Sequence, residues 1–232
     1  MAGQWQIALI SEPYVGGDNE VKNIPGVNIF QFPGGRRVKA CIMVKSGYGP
    51  VLGISQYSSA NLSVVQIMSG QRKIYIASVY IEPEHDAHNT LGQLEVFLKA
   101  TSGTHQIVGG DLNGWHPVWG GARANPRGTE VAELAYSTDL YFCNSGSCPT
   151  FETVTHGRVR SSIIDITMAS SNIFDKIRNW QVDLSVCPSS QHNGITFSIN
   201  VKTLTDRPTT ILPFYTNPKR PTGQFSSIPY TP

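Results

Sequence analysis

Residues 106–121 read QIVGGDLNGWHPVWGG, and this stretch contains the pattern from which the fold can be inferred. Its opening run, residues 106–109, predicts a short strand that is bounded by glycine. Asp111 and Asn113 follow the end of that strand. In proteins built from layered sheets, functional sites commonly consist of polar side chains that lie just beyond the ends of strands. The stretch therefore predicts a sheet that carries a polar site along one edge.

The same strand signal recurs along the chain. Further short, β-branched runs predict strands over residues 6–11, 39–45, 62–68, 73–81, 163–169 and 195–201. In residues 73–81, KIYIASVYI, both alternating faces are largely apolar, which predicts a strand covered on both sides. Two helices are predicted, one containing Leu91 and Leu94 with Asn89 or Thr90 as N-cap, and one that begins near Gly128.

The composition sets limits on the class of protein. The chain has 232 residues, of which 40% are hydrophobic, so it can form a core. Lys and Arg number 18 and Asp and Glu number 16, and the resulting net charge of +2, taken alone, disfavours a nucleic-acid partner. No apolar run is long enough to cross a bilayer, and the N-terminal sequence lacks a signal peptide. We therefore expect an intracellular protein without a membrane partner.

The C-terminal region differs from the rest of the chain. Six of the 15 prolines lie between Pro208 and Pro232. Such a composition is typical of a linker or an extended tail. We therefore predict one compact domain over residues 1–203 and a Pro-rich tail or linker over residues 204–232.

Isolated polar residues at strand ends are the candidates for chemistry. Besides Asp111 and Asn113, these are Glu12 after IALIS, Asp165 inside SSIIDITMAS and His192 before an apolar run. Each alone has a structural explanation, such as a turn, a cap or an ion pair. Together they suggest a site, because a carboxylate in an apolar strand is costly unless it is paired. Glu12 with Asp111 or Asn113 offers the oxygen ligands that Mg²⁺ prefers, and Asp165 can orient the His192 imidazole.

Six segments in order resemble the endonuclease/exonuclease/phosphatase superfamily. They are ISEPY (10–14), SVY (78–80), GGDLNGWHPVWG (109–120), PTF (149–151), SSIIDITMAS (161–170) and the late His192. The middle block, with NPRG (125–128) after it, is similar to the apurinic-endonuclease-like domain of non-LTR retrotransposons of the R1/TRAS type. The resemblance covers residues 5–203. It implies an α/β fold, a four-layer sandwich with two mainly antiparallel sheets flanked by helices.

The resemblance also implies an activity, a cofactor and partners. The expected activity is divalent-metal-dependent nicking of DNA at a retrotransposon target site, with Mg²⁺, or alternatively Mn²⁺, bound by Glu12 and Asp111. The implied partners are DNA and a reverse transcriptase domain C-terminal in the parent polypeptide, and the implied location is the nucleus. These roles agree with phosphoryl chemistry, which needs an activated water and neutralised charge on the phosphate.

Roles for the other residues follow from the same resemblance. Asp111 positions or deprotonates the attacking water, and Asn113 holds the phosphate and that water. Tyr80 contacts the phosphate or assists the leaving group. Asp165 orients His192, which stabilises charge on the phosphoryl oxygens. The residues expected to contact DNA are Arg123, Arg127, Arg158, Arg160 and His116, whereas Trp119 is equally compatible with a place in the core.

Two departures from the family pattern qualify this expectation. The family domain opens with a strand that ends in Asn, followed by a helix, and the 11 residues before Glu12 leave no room for them. That loss predicts an unpaired edge in one sheet. In addition, Gln191 stands where the family has Asp in Ser-Asp-His, and an amide cannot supply that charge. The alternative hypothesis is therefore a truncated, catalytically inactive DNA-binding remnant; a third is a phosphomonoesterase or lipid phosphodiesterase.

Overall fold

The computed structural model describes residues 5–84, 87–201 and 209–215, the last range as backbone only. The strands are β1 (Ile7–Ser11), β2 (Val27–Phe30), β3 (Ala40–Lys45), β4 (Val51–Gly53), β5 (Leu62–Ser69), β6 (Arg72–Tyr80), β7 (His105–Asp111), β8 (Leu140–Phe142), β9 (Phe151–Thr155), β10 (Arg158–Ser162), β11 (Asp165–Ser170), β12 (Ile177–Asp183), β13 (Gly194–Ile199) and β14 (Thr209–Tyr215). The α-helices are α1 (His88–Ala100), α2 (Pro126–Ser137) and the single turn α3 (Ser171–Phe174).

The strands form two six-stranded sheets and a separate hairpin of β9 and β10. The strand order is β12-β13-β14-β1-β3-β2 in sheet A and β4-β5-β6-β7-β11-β8 in sheet B. Each sheet has one parallel pair, β1 with β14 and β6 with β7, and its other described pairs are antiparallel. The predicted α/β architecture with two mainly antiparallel sheets is therefore confirmed.

The core between the sheets consists of the aliphatic residues on their inner faces. Sheet A contributes Ile7, Leu9, Ile42, Val44, Ile195 and Phe197, and sheet B contributes Val65, Ile67, Ile74, Ile76 and Ile107. Burial of each such side chain stabilises the fold by roughly 1.5–3 kcal/mol. Strand β6 also packs Ala77 and Val79 against the helices on its other face, which confirms that it is covered on both sides.

The two outer faces are covered differently. Helices α1 and α2 cover sheet B, with Leu94, Phe97 and Val131 among the buried residues. The outer face of sheet A packs against Val15, Val21 and Val38, which lie in the segments on either side of β2, and the structure assigns no helix in these segments. Within the described part of the chain, no helix is long and apolar enough to cross a membrane.

Two buried serines connect the sheets at one end. The Ser11 hydroxyl donates to the Val79 carbonyl at 3.4 Å and accepts from the Asp111 amide at 3.2 Å. The Ser78 hydroxyl donates to the Ile10 carbonyl at 3.3 Å. Because buried hydroxyls need such partners, these bonds fix the end of β1 beside the ends of β6 and β7.

The start of helix α1 differs from the prediction, whereas α2 begins near Gly128 as predicted. Helix α1 begins at His88, after Ala87, so neither Asn89 nor Thr90 is its N-cap. Helix α2 begins two residues before Gly128, since the Asn125 side chain accepts from the Gly128 amide at 2.8 Å. Gly128 is required for a different reason, because a Cβ there would lie 1.9 Å from the Trp115 carbonyl oxygen.

Strand β14 corrects the prediction that the whole of residues 204–232 is a tail. Residues 211–215 pair in parallel with β1, and residues 209–211 pair antiparallel with β13. Pro213, which cannot donate to a ladder, lies where only β1 pairs with β14. The sheet edge that was expected to be unpaired beside β1 is therefore covered. The rest of the predicted tail, residues 204–208 and 216–232, lies outside the described residues.

We predict that a variant ending at residue 203 is markedly less stable, because β1 and β13 lose the strand between them. The lost ladder bonds correspond to on the order of 3 kcal/mol, or a fall in melting temperature of about 6–12 °C. Thermal unfolding followed by circular dichroism measures this. A variant ending at residue 216 keeps β14 and is the control; identical melting temperatures for the two variants would contradict the prediction.

Candidate active site

The end of β7 brings Asp111 against β6. A Cβ on Gly110 would lie 1.8 Å from the Val79 carbonyl oxygen, and its φ is +154°, so only glycine is accommodated there. This close approach pairs Asp111 with Tyr80 in the parallel register of the two strands. The predicted position of Asp111 at a strand end is thus set by backbone contact between β6 and β7.

Asp111 and Asp165 lie opposite each other on β7 and β11, and both are buried. Asn113 bonds to Asp111 through its amide N–H at 2.9 Å and its side-chain Nδ2 at 3.1 Å. Burial, followed by the charge of Asp165, raises the pKa of the Asp111 carboxyl well above its ordinary value, although His192 and the Asn113 amide act in the opposite direction. The site therefore concentrates negative charge in a dry environment.

His192 completes this cluster. Its Nδ1 lies 3.1 Å from Asp165 Oδ2, and its Nε2 lies 3.8 Å from Asp111 Oδ2. The Phe151 ring packs edge-on against the imidazole, with the centroids 4.8 Å apart. Burial alone lowers the pKa of His192, but Asp165, through its charge and hydrogen bond, and then Asp111 and Glu12 outweigh it and raise the pKa to about 9. The imidazole is therefore cationic at neutral pH.

These three residues form the Asp–Asp–His cluster. One ligand-type atom from each of Asp111, Asp165 and His192 lies within 4.8 Å of the others. The structure thus brings together the end of β7, the start of β11 and the segment before β13.

Glu12 and Tyr80 form the adjacent part of the site. Glu12 follows β1 with a left-handed φ of +47°, and its amide donates to the Lys39 carbonyl at 2.8 Å. Burial, the charges of Glu12 and Asp111 and a hydrogen bond to Glu12 raise the pKa of Tyr80 far above its ordinary value. The phenol therefore remains protonated and donates to Glu12. The Asn113 Nδ2 also donates to the Ile81 carbonyl at 2.9 Å, which fixes that side chain beside the same strand end.

The oxygen-rich donor set is suited to a hard divalent cation. Glu12 and Asp111 supply carboxylates from the ends of two different sheets, and their charges interact, because Glu12 contributes to the raised pKa of Asp111. A cation placed between such groups offsets the repulsion between them, and Mg²⁺ prefers one or two carboxylates with waters. His192, held by Asp165 in cationic form, is not a ligand in this arrangement, since metals bind neutral imidazole.

Two of the residues expected to contact DNA border one cavity. Arg123 and Arg160 line a cavity of about 570 Å³ together with Trp115 and Phe151. The Arg123 guanidinium lies 5.4 Å from the centroid of the Trp115 ring. Because Phe151 also packs against His192, this cavity adjoins the Asp–Asp–His cluster.

The other expected DNA contacts do not line this cavity. Arg127 donates to the Pro83 carbonyl at 3.3 Å, and Arg158 is exposed on β10 of the hairpin. His116 accepts from the Val118 amide at 3.2 Å and packs on Trp119, with ring centroids 5.4 Å apart. Trp119 is 1% exposed and donates to the Ile163 carbonyl, so it is a core residue.

Gln191 points away from the cluster. Its side-chain Nε2 donates to Thr153 Oγ1 on β9 at 2.9 Å, and its backbone carbonyl accepts from the Glu152 backbone amide at 2.8 Å. The side chain is exposed. Gln191 therefore connects the segment before β13 to the hairpin and does not contact the carboxylates in this conformation.

Sequence reasoning assigned no role to three residues of the site. Thr150, in the PTF motif, is fully buried, and its Oγ1 accepts from the Ile164 and Asp165 amides at 3.0 Å each. Glu82 lies two residues beyond the end of β6, the kind of position that identified Glu12 and Asp111, and the same rule could have found it. Lys39 is the third such residue, and its side chain lies between Glu12 and Glu82.

The raised pKa of His192 predicts a pH-dependent stability. The imidazole binds its proton more tightly in the folded protein than at the ordinary pKa of 6.5. Its contribution is therefore complete below pH 6.5 and is lost as the pH rises through about 9. We expect the free energy of unfolding of the metal-free protein to fall by on the order of 2 kcal/mol over this interval.

Urea unfolding in EDTA at pH 6, 7, 8 and 9 measures this dependence. The control is His192→Asn, which keeps a hydrogen-bond donor for Asp165 but cannot be protonated. We expect its stability to change less with pH than that of the unmodified protein, and parallel profiles for both would show that His192 does not carry an extra proton.

Comparisons with known proteins find relatives of this chain. A family model described as endonuclease-reverse transcriptase matches residues 74–196, which include the Asp–Asp–His cluster, Tyr80 and Asn113. No curated protein matches the sequence significantly. The endonuclease domain of TRAS1, a telomere-specific non-LTR retrotransposon, is 31% identical, with a TM-score of 0.77 over 85% of this chain and 87% of that chain.

More distant structures share the fold. An AP endonuclease from Archaeoglobus fulgidus superposes with a TM-score of 0.61, at 12% identity over 84% of this chain and 89% of that chain. The 3′ phosphatase NExo from Neisseria, solved with a product DNA hairpin, gives a TM-score of 0.60 at 12% identity and the same coverage. The family model spans more than half of the chain, and the TRAS1 domain is 31% identical over most of both chains. The chain therefore belongs to the endonuclease-reverse transcriptase family, within the endonuclease/exonuclease/phosphatase superfamily.

Proposed function

We propose that the chain is a divalent-metal-dependent endonuclease that nicks DNA for target-site cleavage by a non-LTR retrotransposon. The observation that carries this proposal is the buried Asp–Asp–His cluster, in which the His192 ring nitrogens lie 3.1 Å from Asp165 and 3.8 Å from Asp111. The TRAS1 endonuclease domain, similar over most of both chains, supports the choice of DNA as substrate.

The residues that would hold the metal are Glu12 and Asp111. Their carboxylates come from the ends of β1 and β7, which the Ser11 hydrogen bonds keep adjacent. When bound, a divalent cation supplies electrophilic stabilisation of a phosphoryl oxygen. Mg²⁺ is the expected ion for this donor set, and Mn²⁺ has compatible ligand preferences.

Asp111 is the residue placed to accept a proton from water. The backbone N–H and the side-chain Nδ2 of Asn113 both donate to the Asp111 carboxylate. The side-chain oxygen of Asn113 is then available to the same water. Burial raises the pKa of Asp111, so its ionised form is a stronger base than an exposed carboxylate. Asn113 therefore orients both the base and the water that attacks phosphorus.

His192 and Tyr80 face the charge that develops on the phosphate. The Asp165 carboxylate keeps Nδ1 of His192 engaged, so Nε2–H is the donor available to a phosphoryl oxygen. The Tyr80 hydroxyl remains protonated and can donate a hydrogen bond to the leaving oxygen. Donors positioned in advance in a site of low dielectric stabilise such charge strongly.

The basic residues around this edge indicate how DNA would lie. Arg123 and Arg160 line the cavity next to His192, and exposed Arg158 extends this basic surface along β10. Contacts from such loops to phosphates position a duplex without reading its sequence. As the endonuclease of a mobile element, the chain would act in the nucleus and join a C-terminal reverse transcriptase domain in the parent polypeptide.

Plasmid nicking tests this function. We expect the protein with Mg²⁺ to convert supercoiled plasmid to the open circle, and Asp111→Asn to lower the rate by on the order of 10³-fold, because the base and a metal ligand are lost together. Gel electrophoresis of time points measures the rates. Asp175→Asn is the matched control, since Asp175 is exposed and its carboxylate forms an ion pair with Lys176 at 2.7 Å.

The other functions make different predictions in the same assay. No nicking by the unmodified protein, combined with retained DNA binding, would favour the inactive remnant. Hydrolysis of small phosphomonoesters or lipid phosphodiesters without nicking would favour the third class. Equal nicking by the protein and Asp111→Asn would show that the activity does not come from this site.

The position of Gln191 gives a separate prediction. Because its side chain is exposed and bonded to Thr153, a carboxylate there would be screened by solvent. We expect Gln191→Asp to change the nicking rate by less than about threefold, with Gln191→Ala as the matched control. A gain of tenfold or more would identify Gln191 as an inactivating substitution and would contradict the geometry.

A further inference from the structure

Lys39 lies at the acidic end of the site, between two glutamates. Its Nζ is 3.8 Å from Glu12 Oε1 and 3.9 Å from Glu82 Oε1. It also lies over the Tyr80 ring, 5.6 Å from the centroid. The three charged side chains are only 21–26% exposed, so solvent screens this group less than an ordinary surface pair.

The backbone fixes this position from both sides. The Lys39 carbonyl accepts from the Glu12 amide at 2.8 Å, and the Lys39 amide donates to the Ala60 carbonyl at 2.7 Å. Lys39 immediately precedes β3, which pairs with β1 along its length. The sheet therefore holds the backbone of Lys39 next to that of Glu12, within reach of the Glu12 carboxylate.

Glu12 is already engaged at this end of the site. The Lys39 ammonium faces its carboxylate, and the Tyr80 hydroxyl forms a hydrogen bond with it. A divalent cation that uses Glu12 as a ligand must share that carboxylate with the ammonium. Two cations within several ångströms of each other repel, which weakens the binding of the second.

We propose that Lys39 is a positioning residue of the metal site, which holds Glu12 through its ammonium and lowers the affinity of that site for divalent cations by competing for the same carboxylate. This inference rests on the proposed function, because it takes Glu12 as a metal ligand. Glu82 provides the second carboxylate that the ammonium contacts when the cation takes Glu12.

The experiment measures Mn²⁺ binding directly, by electron paramagnetic resonance of the free ion. We expect Lys39→Met to bind Mn²⁺ about 5- to 15-fold more tightly than the unmodified protein, because a nearby positive charge is removed. Lys39→Arg keeps the charge and should stay within about twofold. A merely structural loss would weaken binding, so tighter binding identifies competition.

Two further variants complete the design. Lys45→Met is the matched control, since Lys45 lies at the other end of β3, over the Trp5 ring, and should leave the Mn²⁺ affinity unchanged. Lys39→Gln is a second neutral variant, and circular dichroism checks that each variant is folded. Equal tightening in Lys39→Met and Lys45→Met would indicate a general charge effect and overturn the proposal.

The remaining outcomes separate this inference from the proposed function. If the unmodified protein binds Mn²⁺ and the two neutral Lys39 variants bind it equally or more weakly, competition by Lys39 is wrong while metal-dependent nicking stands. If neither the unmodified protein nor any variant binds Mn²⁺, the metal-dependent function fails together with this inference.

Discussion

The repulsion between Asp111 and Asp165 is the constraint on which the site depends. The two carboxylates face each other across a strand pair and are almost completely buried, where an unpaired charge is very costly. The surroundings offset this cost, because cationic His192 lies between them and Thr150 fixes the backbone of Asp165. The same excess of negative charge can hold a divalent cation, so the destabilising feature and the proposed activity have one origin.

Packing of the two sheets explains why residues so far apart in sequence meet. The ends of β1 and β6–β7 are joined by hydroxyl hydrogen bonds from Ser11 and Ser78, inside an otherwise aliphatic core. Glu12 thereby comes next to Tyr80 and Asp111. The chain's net charge of +2 conceals this arrangement, since acids gathered at the strand ends cancel arginines on the surrounding loops in the total.

Much of this could be predicted from the sequence, for a physical reason. Strands such as β6 can be predicted because they have apolar residues on both faces. Asp165 can be predicted as a site residue because a carboxylate in an apolar run needs a partner. The Lys39–Glu82 contact could not be predicted in the same way, because it depends on how β3 and β6 from different sheets meet. The N-cap Asn125 was missed because the glycine three residues later suggested the helix start.

Strand β14 shows where composition misleads. The many prolines around residues 209–215 favour the prediction of a tail over that of a strand in the short run TTILPFY. The backbone of this run nevertheless pairs with β1 on one side and β13 on the other. Such a run forms a strand when two strands distant in sequence leave space for it between them. No local sequence pattern reveals that space.

That pairing also has a consequence for how the chain is made. Ile7 of β1 has Ile211 as its parallel partner, so 204 positions separate two residues that lie side by side. At synthesis rates of roughly 5–20 residues per second, β1 waits about 10–40 s for its neighbour. Sheet A therefore cannot be completed until residues 209–215 have left the ribosome, whereas β5, β6 and β7 of sheet B have neighbours nearby in sequence and can pair early.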